Sequence, residues 1–131
     1  MGTRSTIWIK NEDNSYSGIY CHWDGYPSNN GKILLQNYQD EAKIRTLISL
    51  GDASVLDAKC DKPEGHSYEA PTKGYTVFYH RDRGEDFNSS TAKTEEDTKQ
   101  EEYSYLFKDG KWVFSDHGRA YNELTLDACK D

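Results

Sequence analysis

The residues around Asp109-Gly110 constrain the fold of this chain more than any other feature. Two runs rich in aromatic residues, 103–107 and 112–114, flank this dipeptide. Aromatic and β-branched residues favour strands, and Asp-Gly between two strands is a strong signal for a type I′ turn. The sequence therefore predicts an antiparallel β-hairpin here.

A second hairpin is predicted near the N-terminus, with strands at residues 3–10 and 16–23. Side chains alternate between the two faces of a strand with period two. Cys21 is therefore expected to pack inward, while His22 and Asp24 point together on the other face. Because a turn signal follows directly, the polar groups lie at a strand end, where scaffolds often carry function.

The remaining patterns predict two short helices and one more strand. One helix is expected to end near Tyr38, and the other spans about residues 40–50, with acidic residues in its first turn and Gly51 after its end. Residues 75–80 have the composition of a strand. The polar stretches 52–74 and 84–100 have no apolar periodicity and are predicted to be long loops.

Together these elements predict a single α+β domain covering residues 1–131. Its antiparallel sheet of about five strands carries the two short helices on one face. The strands are expected near residues 3–10, 16–23, 75–80, 102–107 and 111–115.

Composition limits the class of partner. The net charge is −7, and aromatic residues make up 13% of the chain, including ten Tyr. The charge repels nucleic acid and anionic membranes, so we expect no direct binding to either and a partner protein with a basic surface. No apolar run is long enough to span a bilayer and no signal peptide is visible, which predicts a cytoplasmic protein.

The cysteines do not predict catalysis. Cys21, Cys60 and Cys129 are odd in number and irregularly spaced, so reduced thiols are expected. A catalytic Cys21 would need to ionise to a thiolate, and a thiol that points into the core ionises poorly. Motifs of hydrolases, NTPases and dinucleotide-binding enzymes are absent from the sequence, so no catalytic residue and no cofactor are assigned.

A repeated His-x-Asp spacing raises the question of a metal. His22-x-Asp24 and His80-x-Asp82 both lie at predicted strand ends. His22, Asp24 and His80 imitate the two histidines and one carboxylate that bind iron in iron oxygenases. That iron site normally needs a barrel with more strands than this chain offers. We therefore predict no metal, with each His hydrogen-bonded to its neighbouring Asp.

The same strand ends hold a candidate ligand pocket. Arg81 and Arg83 flank Asp82 and could present guanidinium groups to a phosphate, beside rings able to stack on a base. The alternative is a solvated salt-bridge network with Glu85. The candidate ligand-binding residues are His22, Trp23, Asp24, Tyr26, Tyr79, Arg81 and Arg83.

Acidity is concentrated between Gly84 and Tyr103, where seven acids face two lysines. Such a patch suits docking on a basic protein groove or imitation of nucleic-acid phosphates, while a solvated loop is the alternative. The candidate acidic interaction surface consists of Glu85, Asp86, Glu95, Glu96, Asp97, Glu101 and Glu102.

Four segments of the chain resemble a family of small uncharacterised proteins encoded by tailed phages and prophages. They are Met1 to Ile7, Tyr20 to Pro27 (YCHWDGYP), Phe78 to Glu85 (FYHRDRGE) and Tyr103 to Trp112. The resemblance brings no established reaction or catalytic residue. The family more often carries glycine at the position of His80, which disfavours His80 as an indispensable ligand. Phage accessory proteins of this size commonly bind and disable a host component, including restriction, CRISPR and nucleotide-signalling defences.

Three functions follow, in order of preference. The first is a phage accessory protein that inhibits a host component through its acidic surface, in the manner of an anti-CRISPR or anti-restriction inhibitor. The second is a binding protein that sequesters a nucleotide or another small anionic, phosphate-bearing signal in the Arg and aromatic pocket. The third is a small metal-dependent enzyme.

Overall fold

Eight strands form one mixed sheet within residues 3–130, the part of the chain that the computed structural model describes. They are β1 (Ser5–Lys10), β2 (Tyr16–Cys21), β3 (Ala53–Val55), β4 (Val77–Phe78), β5 (Ser90–Ala92), β6 (Tyr103–Lys108), β7 (Lys111–Asp116) and β8 (Asn122–Glu123). The order across the sheet is β4-β3-β2-β1-β6-β7-β8, and β5 also pairs with β2. Met1, Gly2 and Asp131, which belong to the predicted domain and in part to the first resembling segment, lie outside the described residues.

Both predicted hairpins are confirmed. β6 and β7 pair antiparallel from Tyr103↔Asp116 to Lys108↔Lys111. The connecting Asp109 and Gly110 have φ angles of 53° and 76°, the left-handed conformation that a type I′ turn requires at both positions. β1 and β2 pair antiparallel along their whole length.

The prediction of about five antiparallel strands is wrong in both number and direction. β1 runs parallel to β6, with Ser5 opposite Tyr103, and β2 runs parallel to β3, with Cys21 opposite Ala53. The additional strands have two or three residues each, and the predicted loops 52–74 and 84–100 contain β3 and β5. Strands this short are stabilised by pairing with a neighbour, so they leave no alternating pattern in the sequence.

The strand predicted at 75–80 is shorter than expected. Only Val77–Phe78 is paired as β4, and the helix α3 (Tyr79–Arg83) begins at the next residue. Gly84, with φ 81°, ends this helix in the left-handed conformation. The side chains after Phe78 therefore follow helical rather than strand geometry.

Two short helices lie near their predicted positions. A π-helical turn (Pro27–Gly31) leads into α1 (Lys32–Asn37), and α2 (Glu41–Ser49) follows. The Asp40 carboxylate caps α2 by accepting a hydrogen bond from the backbone N–H of Ala42 at 3.2 Å. The helices pack on the sheet and share its larger core, whose buried members include Ile7, Ile19, Leu34, Tyr38, Ile44, Leu47, Tyr105 and Phe107.

The second hydrophobic cluster contains the indole of Trp8. Its buried members are Trp8, Tyr16, Ala92, Leu106 and Val113, with Tyr121 packed against them. Trp8 lies opposite Gly18 in the β1–β2 register, and a Cβ at Gly18 would come within 2.4 Å of the indole ring. We call the surface that carries Trp8 the outer face of the sheet. None of the helices within residues 3–130 has the length and hydropathy needed to cross a membrane.

Candidate functional site

The end of β2 is held in place by backbone hydrogen bonds. The N–H groups of His22 and Trp23 donate to the carbonyls of Ala53 (3.1 Å) and Ser54 (3.0 Å), which continues the pairing past the last residue of β2. Asp24 then adopts a left-handed φ of 57°. The chain therefore turns sharply and leaves Trp23 40% exposed.

Aromatic side chains extend from this turn along the outer face. The Tyr20 hydroxyl and His22 Nδ1 are 2.7 Å apart, and the His22 ring packs edge-on against Trp23 with 4.7 Å between centroids. Cys21, which lies between Tyr20 and His22 in the sequence, is completely buried. The predicted inward orientation of Cys21 is confirmed.

The surface continues onto α3 and a neighbouring loop. Tyr79 and Tyr68 pack with 6.2 Å between ring centroids, and the Arg83 guanidinium lies 4.5 Å from the centre of the Tyr68 ring. Arg83 also forms a 3.2 Å ion pair with Glu85. We call Tyr20, His22, Trp23, Tyr68 and Tyr79 the aromatic row.

The two halves of the aromatic row are joined through Asp52, whose carboxylate accepts the backbone N–H of Tyr20 at 2.9 Å and whose backbone carbonyl accepts that of Tyr79 at 3.2 Å. Burial raises the pKa of the Tyr20 hydroxyl most, the positive charge of Arg4 lowers it, and Glu101 and Tyr79 raise it further. Tyr20 and Tyr79 therefore lie on neighbouring segments bridged by Asp52, and the charges of Arg4 and Glu101 act on Tyr20. The structure thus brings together the predicted residues His22, Trp23, Tyr79 and Arg83, and adds Tyr20 and Tyr68.

Arg81, by contrast, is engaged inside the protein. Its Nε and one terminal nitrogen donate to the two carboxylate oxygens of Asp82 at 2.9 and 3.1 Å, and the other terminal nitrogen donates to the Cys60 carbonyl at 2.7 Å. The guanidinium also packs 4.7 Å from the Phe78 ring centre. Arg81 and Arg83 therefore do not form the paired phosphate fork that their spacing suggested.

Asp82 lies at the centre of a buried polar network. Its side chain is completely buried and accepts the backbone N–H of Phe78 at 2.8 Å. His66 Nε2 lies 3.4 Å from the same carboxylate, and His66 Nδ1 accepts the backbone N–H of Thr72 at 2.9 Å. These contacts join the 57–76 loop to α3, which gives His66 and Asp82 a structural role.

His80 points away from Asp82 because α3 begins at Tyr79. His80 is exposed, its Nδ1 lies 2.7 Å from the Glu85 carbonyl, and its ring packs against Phe87. The predicted hydrogen bond of each His to its neighbouring Asp is therefore wrong, because the partner of His22 is the Tyr20 hydroxyl and that of His80 is the Glu85 carbonyl. In the described part of the chain, no three His, Cys, Asp or Glu side chains are arranged to hold a metal ion.

A small recess adjoins the aromatic row at Tyr79. Its volume is about 140 Å³, and it is lined by Asp52, Tyr79, His80, Glu85, Asp86 and Asn88. The Asp52 carboxylate accepts the backbone N–H of Tyr20 at 2.9 Å and the Asn88 side-chain amide at 2.7 Å. The recess is therefore acidic and connected to both halves of the row.

The acidic segment, residues 85–102, crosses the outer face. Ala92 belongs to the Trp8 cluster, Thr98 is buried with its hydroxyl 2.7 Å from that of Tyr121, and Thr6 donates to the Gln100 carbonyl at 3.4 Å. Besides β5, it contains a short 3₁₀-helix (Glu96–Thr98). The segment is thus held against the sheet by side-chain and backbone contacts.

Its carboxylates fall into two groups. Glu85, Glu95 and Glu96 pair with Arg83, Lys108 and Lys99, respectively. Asp86, Asp97, Glu101 and Glu102 are exposed and form no salt bridge within residues 3–130. These four carboxylates are the part of the acidic segment that is available to a partner.

Tyr26, the remaining predicted ligand residue, is on the turn beyond Trp23. It is 37% exposed, and its hydroxyl donates to an Asp24 carboxylate oxygen at 3.4 Å. The Asp24 backbone carbonyl also accepts a hydrogen bond from the Asn29 side chain. Asp24 and Tyr26 therefore belong to the turn that presents Trp23.

The thiols are expected to be unreactive in the folded protein. All three cysteines are buried and free, and burial raises the pKa of Cys21 to about 11, above its ordinary value of 9.0. Burial lowers the thiolate population and also blocks access to the sulfur, so Cys21 should react at least about tenfold more slowly with a disulfide reagent near neutral pH than in the unfolded chain. Absorbance titration of native and denatured protein measures this. A fast-reacting thiol in the native protein, lost in Cys21→Ser, would contradict it.

Comparisons with known proteins provide no relative for this chain. No protein-family model matches it, and no significant match was found among curated proteins or solved structures. The role of the aromatic row and the acidic segment has to follow from their contacts, charges and exposure.

Proposed function

We propose that this protein is a non-enzymatic binding protein that covers a basic surface of a host protein and thereby inhibits it. The observation that carries the proposal is the acidic segment, which is fixed across the outer face and presents Asp86, Asp97, Glu101 and Glu102 to solvent. The resemblance to phage and prophage proteins supports a host component, such as part of a defence system, as the target.

The acidic segment is ordered, and this favours its role as a binding surface over that of a flexible, solvated loop. Carboxylates concentrated on one surface speed the encounter with a basic partner and fix its orientation. Because the segment is anchored by contacts such as Thr98 with Tyr121, less conformational entropy is lost on binding than for a disordered segment. The net charge of −7 acts in the same direction.

Other functions have less support. Sequestration of a phosphate would rely on Arg81 and Arg83. The Arg81 guanidinium is occupied by Asp82 and by the Cys60 carbonyl, and Arg83 is paired with Glu85. The recess beside Tyr79 is acidic and, at about 140 Å³, smaller than the 300–1,000 Å³ usual for small-molecule sites. Cysteine chemistry would require a thiolate, which the raised pKa of Cys21 disfavours.

We expect neutralisation of the available carboxylates to slow association with the partner. The test variant combines Asp86→Asn, Asp97→Asn, Glu101→Gln and Glu102→Gln. At low salt its on-rate for the captured partner should fall by about tenfold or more, because electrostatic steering contributes factors of 10–10³. Surface plasmon resonance at several salt concentrations measures both this loss and a flatter salt dependence.

A matched control removes four negative charges elsewhere on the exposed surface. It combines Glu12→Gln, Asp61→Asn, Glu64→Gln and Glu123→Gln.

Partners are captured from lysogenic or infected host cells with immobilised wild-type protein, and mass spectrometry of heated protein tests for a released nucleotide. Equal on-rates for the two variants would contradict the steering role of the segment, and a stoichiometric nucleotide would favour sequestration instead.

A further inference from the structure

The aromatic row already binds one guanidinium group, that of the protein's own Arg83. Arg83 lies 4.5 Å from the Tyr68 ring centre and pairs with Glu85 at 3.2 Å. A ring face together with a carboxylate is a favourable setting for guanidinium, because the ring quadrupole and the negative charge both attract the cation. The row therefore contains an internal example of the chemistry it can recognise.

The same combination recurs at Tyr79, where the lining residues supply no cation. The recess combines the Tyr79 ring with the carboxylates of Asp52, Glu85 and Asp86, and none of its six lining residues is Lys or Arg. Glu85 is shared with Arg83 and Asp52 accepts two hydrogen bonds within the protein, so Asp86, which forms no salt bridge within residues 3–130, is the carboxylate that remains for an incoming cation. Glu85 is close enough to Tyr79 to affect its pKa, which burial raises most. At about 140 Å³, the recess fits the end of a side chain rather than a nucleotide.

The rest of the row has a similar balance of rings and charges. Trp23 is 40% exposed and is followed by Asp24, and the half-buried Tyr20 has Arg4 and Glu101 as charged neighbours. Carboxylates therefore outnumber cations around the exposed rings. An anionic ligand is disfavoured at this surface, and a cationic side chain is favoured by charge complementarity.

From these observations we propose that the aromatic row is a subsite for arginine side chains on the partner protein. The inference rests on the proposed function and specifies how the partner is held once the acidic segment has attracted it. Arginine is preferred to lysine because its planar guanidinium can stack on a ring while donating to a carboxylate. Rings and arginines are also the residue types that dominate binding energy at the centres of interfaces.

Oligo-arginine and oligo-lysine peptides of equal length provide the test, because the acidic segment alone should attract them equally. Isothermal titration calorimetry should show that wild-type protein binds oligo-arginine about fivefold more tightly than oligo-lysine, in line with the strength of a cation–π contact. Replacement of rings by Trp23→Ala or Tyr79→Leu should reduce this ratio towards one. Trp23→Phe, which keeps a ring, should retain most of it.

The control replaces an exposed apolar residue outside the row. Leu126 is 56% exposed, and Leu126→Ala should leave the ratio unchanged. Unfolding midpoints establish that each variant is folded. A wild-type ratio near one, a ratio that survives both ring replacements, or no binding of either peptide would overturn the inference.

The two proposals fail in different ways. If the acidic segment does not steer the partner, the variant with four neutralised carboxylates will bind both peptides as the wild type does. If only the arginine subsite is absent, that variant will lose affinity for both peptides equally, while ring replacement changes nothing.

Discussion

Asp82→Ala is expected to destabilise the protein by about 3–5 kcal/mol, the usual cost of breaking a buried ion pair. The Asp82 side chain is fully buried, and Arg81, its ion-pair partner, has only 17% of its side chain exposed. Removal of the carboxylate leaves this guanidinium without its counter-ion and removes the acceptor of the Phe78 N–H. Chemical denaturation followed by tryptophan fluorescence measures the change in the free energy of unfolding.

An exposed ion pair next to the same helix provides the matched control. Arg83 and Glu85 both have 47% of their side chains exposed, and Glu85→Ala should cost less than about 1 kcal/mol. If Asp82→Ala costs no more than Glu85→Ala, the buried network does not hold the 57–76 loop to α3 as we infer.

The same network predicts part of the acid sensitivity of the fold. Burial raises the pKa of the Asp82 carboxyl, but hydrogen bonds from Arg81 and the Phe78 N–H, with nearby positive charge, outweigh this and hold the pKa below its ordinary value of 3.8. Because the folded-state pKa is lowered, this stabilisation is complete above 3.8 and is lost as the pH falls through the folded value. Asp82→Asn should therefore show a smaller loss of stability over that acid range.

Gly18→Ala is expected to destabilise the protein by about 1–3 kcal/mol through overpacking. The added Cβ would lie 2.4 Å from one carbon of the Trp8 ring and 2.8 Å from the Ile7 carbonyl oxygen. Trp8 is completely buried, so its ring cannot move into solvent to relieve the contact. The φ of Gly18 is not positive, which leaves this steric contact as the reason for glycine. Thermal and chemical unfolding measure the cost.

A smaller ring at position 8 tests this explanation. In a Trp8→Phe background the penalty of Gly18→Ala should shrink, giving a coupling energy of about 1 kcal/mol between the two positions. Strictly additive effects would show that the indole does not exclude a side chain at Gly18.

Local signals in the sequence were sufficient for the hairpins and α2. Asp109-Gly110 determines a turn by the conformation of two residues, and Asp40 with the apolar stripe of Ile44 and Leu47 marks a helix by short-range spacing. Signals of this kind act over a few residues, so they can be identified without the rest of the fold.

The sheet order was not predictable in this way. β3, β4 and β8 have two or three residues each, and the parallel contact of β1 with β6 joins distant parts of the chain. Such pairings are determined by the fit of the whole core rather than by the propensity of the paired residues. The acidic segment likewise appeared as a loop because Ala92 and Thr98 are too few to give a period.

The candidate site was predicted in part. Strand alternation placed Tyr20 on the same face as His22, so Tyr20 could have been included from the sequence. The start of α3 at Tyr79 was not predicted. It alters the site most, because the change from strand to helix buries Asp82 and exposes His80. Tyr68 comes from a loop, and the sequence carries no signal for its contact with Tyr79.

The central position of β1 has a consequence for synthesis of the chain. β1 lies between β2 and β6, and the hydrogen bond from Thr6 to Ser104 spans 98 residues. During translation from the N-terminus, β1 and β2 leave the ribosome long before β6, so one edge of β1 stays unpaired until residues 103–108 have emerged. An unpaired strand edge is a template for aggregation, and contacts this distant in sequence form slowly. We therefore expect this edge of β1 to be open to aggregation until β6 has emerged.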